Sequence, residues 1–251
     1  IGAHTGVCAL FLLHEEGTAV TRELSLRPRL ALLASLVPTG AALADVGTDH
    51  GYIPVYLRQH GAIGRTVASD IAHEPLEHAR RTAEEYGVDG IDFRLCAGLS
   101  AIAPEECDTV LIAGMGGETI RDILAAAPWT RDGQHTLLLQ PQTKVEELRL
   151  WLCENGYAVT RERLVRDKGK LYVVMTVTAG ERFTPDEEQL YGGLALEREA
   201  LYGDYLAHQI VRLRRRSDGL CRTGSGAANG FAALADALEA KKGKWEHDNG
   251  S

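Results

Sequence analysis

Leu30, Leu33, Ala34 and Val37 recur at helical spacing, and Pro38 and Gly40 end that pattern. Ser25 ahead of Leu26-Arg27-Pro28 predicts the helix start, a hydroxyl cap followed by proline in the first turn. The pattern then changes. Short runs that are apolar nearly throughout cover Ala41 to Val46, Thr66 to Ser69, Ile91 to Leu95, Thr109 to Ala113 and Thr136 to Leu139. Helical stretches lie between them, near Tyr52 to Gln59, Glu74 to Tyr86, Glu118 to Ala126 and Lys144 to Asn155. Strands without polar alternation are buried on both faces, so the chain predicts a parallel sheet covered by helices, the doubly wound α/β class. Tyr157 to Val165 and Leu171 to Thr178 flank a break containing Asp167, Lys168 and Gly169, which predicts an antiparallel hairpin at the end of the sheet.

Beyond Gly180 the period becomes helical throughout. Leu190, Leu194, Leu201, Tyr205, Leu206, Ile210 and Leu213 fall on one stripe. Ser217 to Gly230 is rich in Gly, Ser and Asn and reads as a flexible turn or linker. Phe231, Leu234 and Leu238 open a second, shorter helix, so the two predict a helical hairpin of antiparallel coiled-coil type. Gly243 to Ser251 reads as disordered, and residues 1–22 as an extended start with little structural role. The expected organisation is an extension over 1–22, a catalytic domain over 23–180 and a helical tail over 181–251.

Composition narrows the functions. The chain has 251 residues and a net charge of -8, from 27 basic and 35 acidic side chains, so nucleic acid can be met only through a local basic patch. Cys8, Cys96, Cys107, Cys153 and Cys221 form no C-x-x-C pair, and the nine histidines show no H-E-x-x-H spacing. Neither a disulfide framework nor a zinc site is expected, and a reducing cytoplasm fits. The apolar run from Val7 to Leu13 is too short to cross a bilayer and lacks the flanks of a signal peptide.

The chemistry-bearing residues gather at strand ends. The first strand runs into Asp45-Val46-Gly47-Thr48-Asp49-His50-Gly51-Tyr52, where glycine lets the backbone turn tightly beneath a ligand and the next helix points its positive end there. The spacing is D-x-G-x-D-x-G rather than G-x-G-x-x-G. Two acids favour a cationic sulfonium with its amino-acid tail over a pyrophosphate, unless the segment is a plain turn with a capping aspartate. Asp70, before Ile71, is placed to accept both hydrogens of a ribose diol, to cap the following helix, or both. Ala113-Gly114-Met115-Gly116-Gly117 follows the fourth strand and marks backbone close to a ligand. Gln140-Pro141-Gln142 ends the fifth strand, either as a polar grip on a target nitrogen or as an ordinary strand end. Arg161, Arg163, Arg166, Lys168 and Lys170 on the hairpin, and Arg212, Arg214, Arg215, Arg216 and Arg222 on the long helix, are either phosphate contacts or solvated charged faces.

A parallel sheet closed by an antiparallel hairpin is typical of Rossmann-like methyltransferases. The runs Ala44 to Pro54, Ile112 to Gly117 and Leu139-Gln140-Pro141, in that order, resemble the bacterial tRNA (adenine-22-N1)-methyltransferases, over roughly Leu24 to Ala179. The resemblance implies S-adenosyl-L-methionine as cofactor, tRNA as partner and methylation of adenine N1, with no membrane, no metal and a helical tail that helps hold the tRNA. The implied cofactor set is Asp45, Gly47, Thr48, Gly51, Asp70, Ile71, Ala97, Gly98, Ala113, Gly114, Met115 and Gly116. Asp49, His50, Tyr52 and Gln142 are the expected catalytic residues, with Asp49 balancing the cationic product ring, His50 and Tyr52 stacking on the base and Gln142 holding its amine. The expected RNA contacts are Arg161, Arg163, Lys168, Lys170, Arg212, Arg215 and Arg216. Two positions depart from the family. Cys96-Ala97-Gly98-Leu99 stands where a Gly-Asp-Gly-Leu run is usual, so the acid for the cofactor's adenine is absent, and Gln142 stands for the usual Asn. Rival readings are a nicotinamide oxidoreductase, a non-catalytic RNA-binding protein and a methyltransferase for another acceptor. The oligomeric state stays open.

Overall fold

A computed structural model describes residues 22–222 and 228–249. The reading of residues 1–22 therefore falls, apart from Arg22, outside the described residues. The chain forms α1 (Pro28–Leu36), β1 (Leu43–Val46), α2 (Tyr52–Gln59), β2 (Thr66–Asp70), α3 (His73–Glu85) and β3 (Ile91–Leu95). There follow β4 (Thr109–Gly116), α4 (Gly117–Ala126), β5 (Thr136–Thr143), α5 (Val145–Glu154), β6 (Tyr157–Asp167) and β7 (Lys170–Ala179). Three helices close the described chain: α6 (Glu187–Gly192), α7 (Tyr202–Arg222) and α8 (Ala228–Asn249).

The seven strands form one sheet in the order β3-β2-β1-β4-β5-β7-β6. β3 to β5 run parallel, with Leu43 of β1 beside Thr66 of β2 and Thr109 of β4. β7 lies antiparallel to β5, and β6 antiparallel to β7. This is the expected Rossmann-like sheet with a terminal hairpin. The order reverses between β1 and β4, so their carboxyl ends open a crevice, which is where this class of sheet takes ligands.

The two faces bury different partners. On one, Leu33 and Ala34 of α1, Val37 just after it, and Ile53 and Leu57 of α2 pack on Leu43, Leu111 and Leu138. On the other, Val46, Ile112, Leu139 and Met175 meet Ile120, Leu124, Leu148 and Leu152 of α4 and α5. That second cluster continues without a break through Leu206, Ile210 and Leu213 of α7 to Leu234, Ala235 and Leu238 of α8. The last two helices run antiparallel, with Ser217 Oγ donating to the Ala228 carbonyl at one end and Trp245 against Gly203 at the other.

Four expectations are corrected. Ser25 does not cap α1; Arg27 occupies the cap position without a side-chain bond, and Pro28 opens the helix as its first residue. The stripe from Leu190 to Leu213 is two helices rather than one, because Gly193 at φ 95 leaves the helical region after Gly192. The turn expected over Ser217 to Gly230 is shorter, since α7 runs on to Arg222 and α8 starts at Ala228; residues 223–227 lie outside the described residues. Gly243 to Asn249 is helix, anchored by Trp245 Nε1 donating to the Glu197 carbonyl at 2.8 Å. Among the described residues no helix is long and apolar enough to cross a membrane.

Candidate active site

The crevice is built from the ends of β1, β2, β4 and β5. Gly47 turns at φ 77, and the amides of Gly47 and Thr48 both donate to the Ser69 carbonyl, at 2.7 and 3.0 Å, tying the end of β1 to β2. A Cβ at Gly47 would stand 2.0 Å from Met115 Cε, the movable end of a flexible side chain, so it is the left-handed backbone that asks for glycine here. Gly51, at φ 64, lets α3 approach, its missing Cβ falling 2.9 Å from that of Ala79. Asp45 lies beneath this turn, 7% exposed. Burial, with the nearby Asp70 charge adding, pushes its carboxyl up to about 6. The Thr48 hydroxyl, hydrogen-bonded to it, pulls the other way by less.

Two adjoining clefts share Gly47, Asp70 and Met115 as a common wall. The inner one, about 370 Å³, is lined by apolar groups including Ile71, Leu99, Ile123 and Ala126, with Cys96, Ala97 and Gly98 along one side. No lysine or arginine lines it. Asp70 Oδ1 accepts from the Ala72 amide at 2.8 Å, which closes a turn ahead of α3 rather than capping it, since Ala72 takes the cap position with no side-chain bond. Ile71 is 74% exposed, an unusual place for isoleucine unless a ligand covers it. At Gly98, φ 57, a Cβ would press on Ile123 at 2.9 Å.

The outer cleft, about 560 Å³, collects Asp45, Thr48, Asp49, His50, Gly51, Tyr52, Ala113, Gly114 and Gln142. All four expected catalytic residues thus face one space. His50 stacks between Tyr52 and His78, with ring centroids 5.2 and 5.1 Å away. Ligand atoms of Asp49, His50 and His78 lie within 4.8 Å of one another, but the two imidazoles stack in parallel, at 10°, and so do not converge on a shared metal position. The glycines after β4 divide by role. Gly114, at φ 82, leaves the cleft floor open. Gly116 lines neither cleft, contrary to its expected place among the cofactor contacts; a Cβ there would meet Thr143 Oγ1 at 3.2 Å, and at Gly117 the Lys144 carbonyl at 2.6 Å. Those two glycines serve the packing of β5.

The sequence pattern missed Arg29. It projects from the first turn of α1 into the outer cleft, where Nη1 donates to Gln140 Oε1 at 2.7 Å and the guanidinium lies 5.6 Å from the centre of the Tyr172 ring. Gln140 is fully buried, and its amide donates in turn to the Pro141 carbonyl at 2.9 Å. Of the two glutamines flanking Pro141, Gln140 therefore holds protein, and Gln142 stands exposed at the lip.

The basic residues scatter. Lys168, at the hairpin tip, lines the outer cleft. Lys170, Arg166 and Arg212 line a neighbouring groove of about 430 Å³ between the hairpin and α7, which also includes Gln142. Arg163 pairs with Glu199 at 2.7 Å, Arg166 with Asp204 at 2.8 Å, Arg212 with Glu146 and Arg214 with Glu239. Arg216 lies over the Phe231 ring, and Arg161 and Arg215 are exposed.

Residues 26–175 match the family model described as a methyltransferase domain. The tRNA (adenine(22)-N(1))-methyltransferase of Bacillus subtilis is 36% identical over 189 residues, 74% of this chain and 77% of that protein. The crystal structure of the Bacillus subtilis tRNA methyltransferase TrmK superposes with a TM-score of 0.75 at 29% identity, covering 86% of this chain and 97% of that one. TrmK of M. capricolum, solved with the cofactor product S-adenosyl-homocysteine, gives 0.67 at 26% identity, covering 90% and 97%.

Proposed function

Because the chain belongs to the methyltransferase-domain family, and within it to the tRNA (adenine(22)-N(1))-methyltransferases, we propose that it methylates N1 of adenine 22 in tRNA, in the cytoplasm. The observation that carries this reading is the pair of adjoining clefts, an apolar one without cations and a polar, aromatic one at the ends of β4 and β5. The two clefts together fit the cofactor: Gly47 and Asp70 are common to both, the inner one offers an apolar chamber without cations, and the buried Asp45 in the outer one sits where a cationic ligand is favoured. Asp70 keeps one carboxylate oxygen for a ribose diol, and Ile71, Ala97 and Gly98 flank the space for an adenine. We take residues 23–180 as the catalytic portion and 181–251 as the portion that helps hold the tRNA.

S-adenosylmethionine supplies a methyl group on a sulfonium: the adenine N1 lone pair forms the new N–C bond as the C–S bond breaks, and the positive charge passes from sulfur to the ring. N1 carries no proton, so the protein needs no general base. Its task is alignment at about 3 Å. The base must first leave its stack and pairing. The Tyr52-His50-His78 stack offers an aromatic surface for it. Gln142 is placed to hold the exocyclic amine, and the exposed Asp49 carboxylate to balance charge growing on the ring.

The test is methyl transfer from labelled S-adenosylmethionine to an unmodified tRNA transcript with adenine at position 22, beside a transcript with guanine there. Label on the first alone is expected. Equal label on both, or on neither, overturns the reading.

A further inference from the structure

Arg29 is an isolated cation in a built setting. Its partners are neutral: the Gln140 side-chain oxygen at 2.7 Å and the face of Tyr172. Among the described residues no carboxylate lies within 4 Å of it, whereas Arg94, Arg149, Arg163, Arg166, Arg212 and Arg214 each have one. Fixing a guanidinium costs side-chain entropy, and a fully buried glutamine spends its only acceptor to do so. Such a residue is pre-organised for an anion that arrives from outside.

Its position says which anion. A Cβ at Gly114 would stand 3.9 Å from Arg29 Nη1 and 4.0 Å from Gln142 Nε2, so two donors converge over a residue with no side chain. This spot lies at the ends of β4 and β5, in the outer cleft beside Gln142. The other cations of the outer cleft, Arg27 and Lys168, likewise have no carboxylate within 4 Å among the described residues, and none of the three lines the inner cleft. Through Gln142 the same surface runs into the groove that holds Lys170. Three cations grouped in the outer cleft, with none in the inner one, match a polyanion that presents one nucleotide there.

We propose that Arg29, oriented by Gln140 and Tyr172, binds the backbone phosphate of the nucleotide whose base enters the outer cleft. This rests on the reading of the chain as a tRNA methyltransferase. Arg29 is thus a binding and positioning residue; it takes no part in bond making.

The test uses the full chain. Binding of tRNA is measured across a salt series for the wild type, Arg29→Ala and Arg29→Lys, beside calorimetric titration with S-adenosylhomocysteine. Arg29→Ala is expected to weaken tRNA binding at least about tenfold and to reduce the salt slope by about one. Its affinity for S-adenosylhomocysteine should not change. Arg29→Lys should keep the slope and lose part of the affinity, because an ammonium lacks the two-pronged geometry. A transcript with a neutral methylphosphonate at the target nucleotide should bind the wild type as weakly as the native transcript binds Arg29→Ala, and the two losses should not add. An unchanged salt slope, or additive losses, overturns the assignment. Weakened S-adenosylhomocysteine binding with tRNA binding intact overturns it too, and makes Arg29 the receptor for the cofactor's carboxylate. A wild type that methylates its tRNA while Arg29→Ala binds normally removes only this proposal; a wild type that binds neither ligand removes the functional reading with it.

Discussion

Asp45 and Asp49 stand four residues apart and serve opposite needs. Asp45 is buried and its carboxyl is pushed up to about 6, so below that pH the free protein favours its neutral form. Its ionisation costs the fold stability, which is present below the unfolded value of 3.8 and lost as pH rises through about 6. A bound cation reverses that preference and expels the proton. Affinity for S-adenosylmethionine should therefore rise between pH 5 and 7 and level off above, with proton release seen by calorimetry in two buffers of different ionisation heat. His50 lines the same cleft and stacks on His78, so Asp45→Asn is the control, and a pH dependence that survives it would assign the effect to a histidine. Asp49, by contrast, is exposed at the mouth of the outer cleft, its side chain 74% accessible. Asp49→Asn should leave cofactor binding intact and lower turnover roughly 100- to 1,000-fold, the range typical of lost transition-state electrostatics. Single-turnover rates with saturating tRNA decide it.

Among the elements, α5, β6 and α7 are joined by one buried ionic group. Arg149 donates from Nε to Glu162 Oε1 at 2.8 Å, and from Nη1 to the Leu190 carbonyl at 2.6 Å and the Tyr205 hydroxyl at 2.9 Å. Glu162 Oε2 accepts from the amides of Leu194 and Ala195 at 2.7 and 3.0 Å, holding the bend after Gly193. Both side chains are wholly buried. Arg149→Met would strand the Glu162 charge and should cost about 3–5 kcal/mol, lowering the melting temperature by roughly 10 °C. In Arg149→Met with Glu162→Leu most of that loss should be recovered; additive losses in the melting curves would mean that the pair is not coupled. None of this was visible in the chain, where Arg149 and Glu162 read as ordinary charges in an amphipathic helix and an edge hairpin. The elements that were legible are those whose register alone decides their fate. The parallel strands, apolar throughout, can only be interior, and the glycine turns after β1 and β4 fall where the crevice opens. The bend at Gly193 was hidden because a leucine stripe continues across it, and the last turns of α8 because their low apolarity masks the anchoring by Trp245.

For the whole molecule, an acidic protein must bind a polyanion through a local surface. The candidate surface runs from Arg27, Arg29 and Lys168 in the outer cleft to Lys170 in the groove beside α7. The sequence runs named the hairpin and α7 alike; Lys168 and Lys170 of the hairpin lie on this surface, whereas Arg163, Arg212 and Arg214 are already paired with acids. Arg29 was missed because a cation in the first turn of an amphipathic helix has nothing in its neighbourhood along the chain to mark it; Gln140, which marks it, is 111 residues away. Binding of tRNA should weaken steeply with salt, and Lys170→Ala should reduce the slope by about one without altering S-adenosylhomocysteine affinity. An unchanged slope would place the RNA elsewhere.

The core that passes unbroken from Val46 of the sheet to Leu238 of α8 has a consequence for descent. A tail that fills the same interior as the strands cannot travel between relatives as a cassette. Grafting α6 to α8 from another family member onto this sheet would leave Glu162 facing amides set for a different bend, and leucines cut for a different cavity. Such chimaeras should melt early and in one broad step, and only those that also carry over α5 and the β6-β7 hairpin should recover a sharp transition. Lineages that reshaped their tRNA-holding helices would then have had to rework the hairpin floor in step.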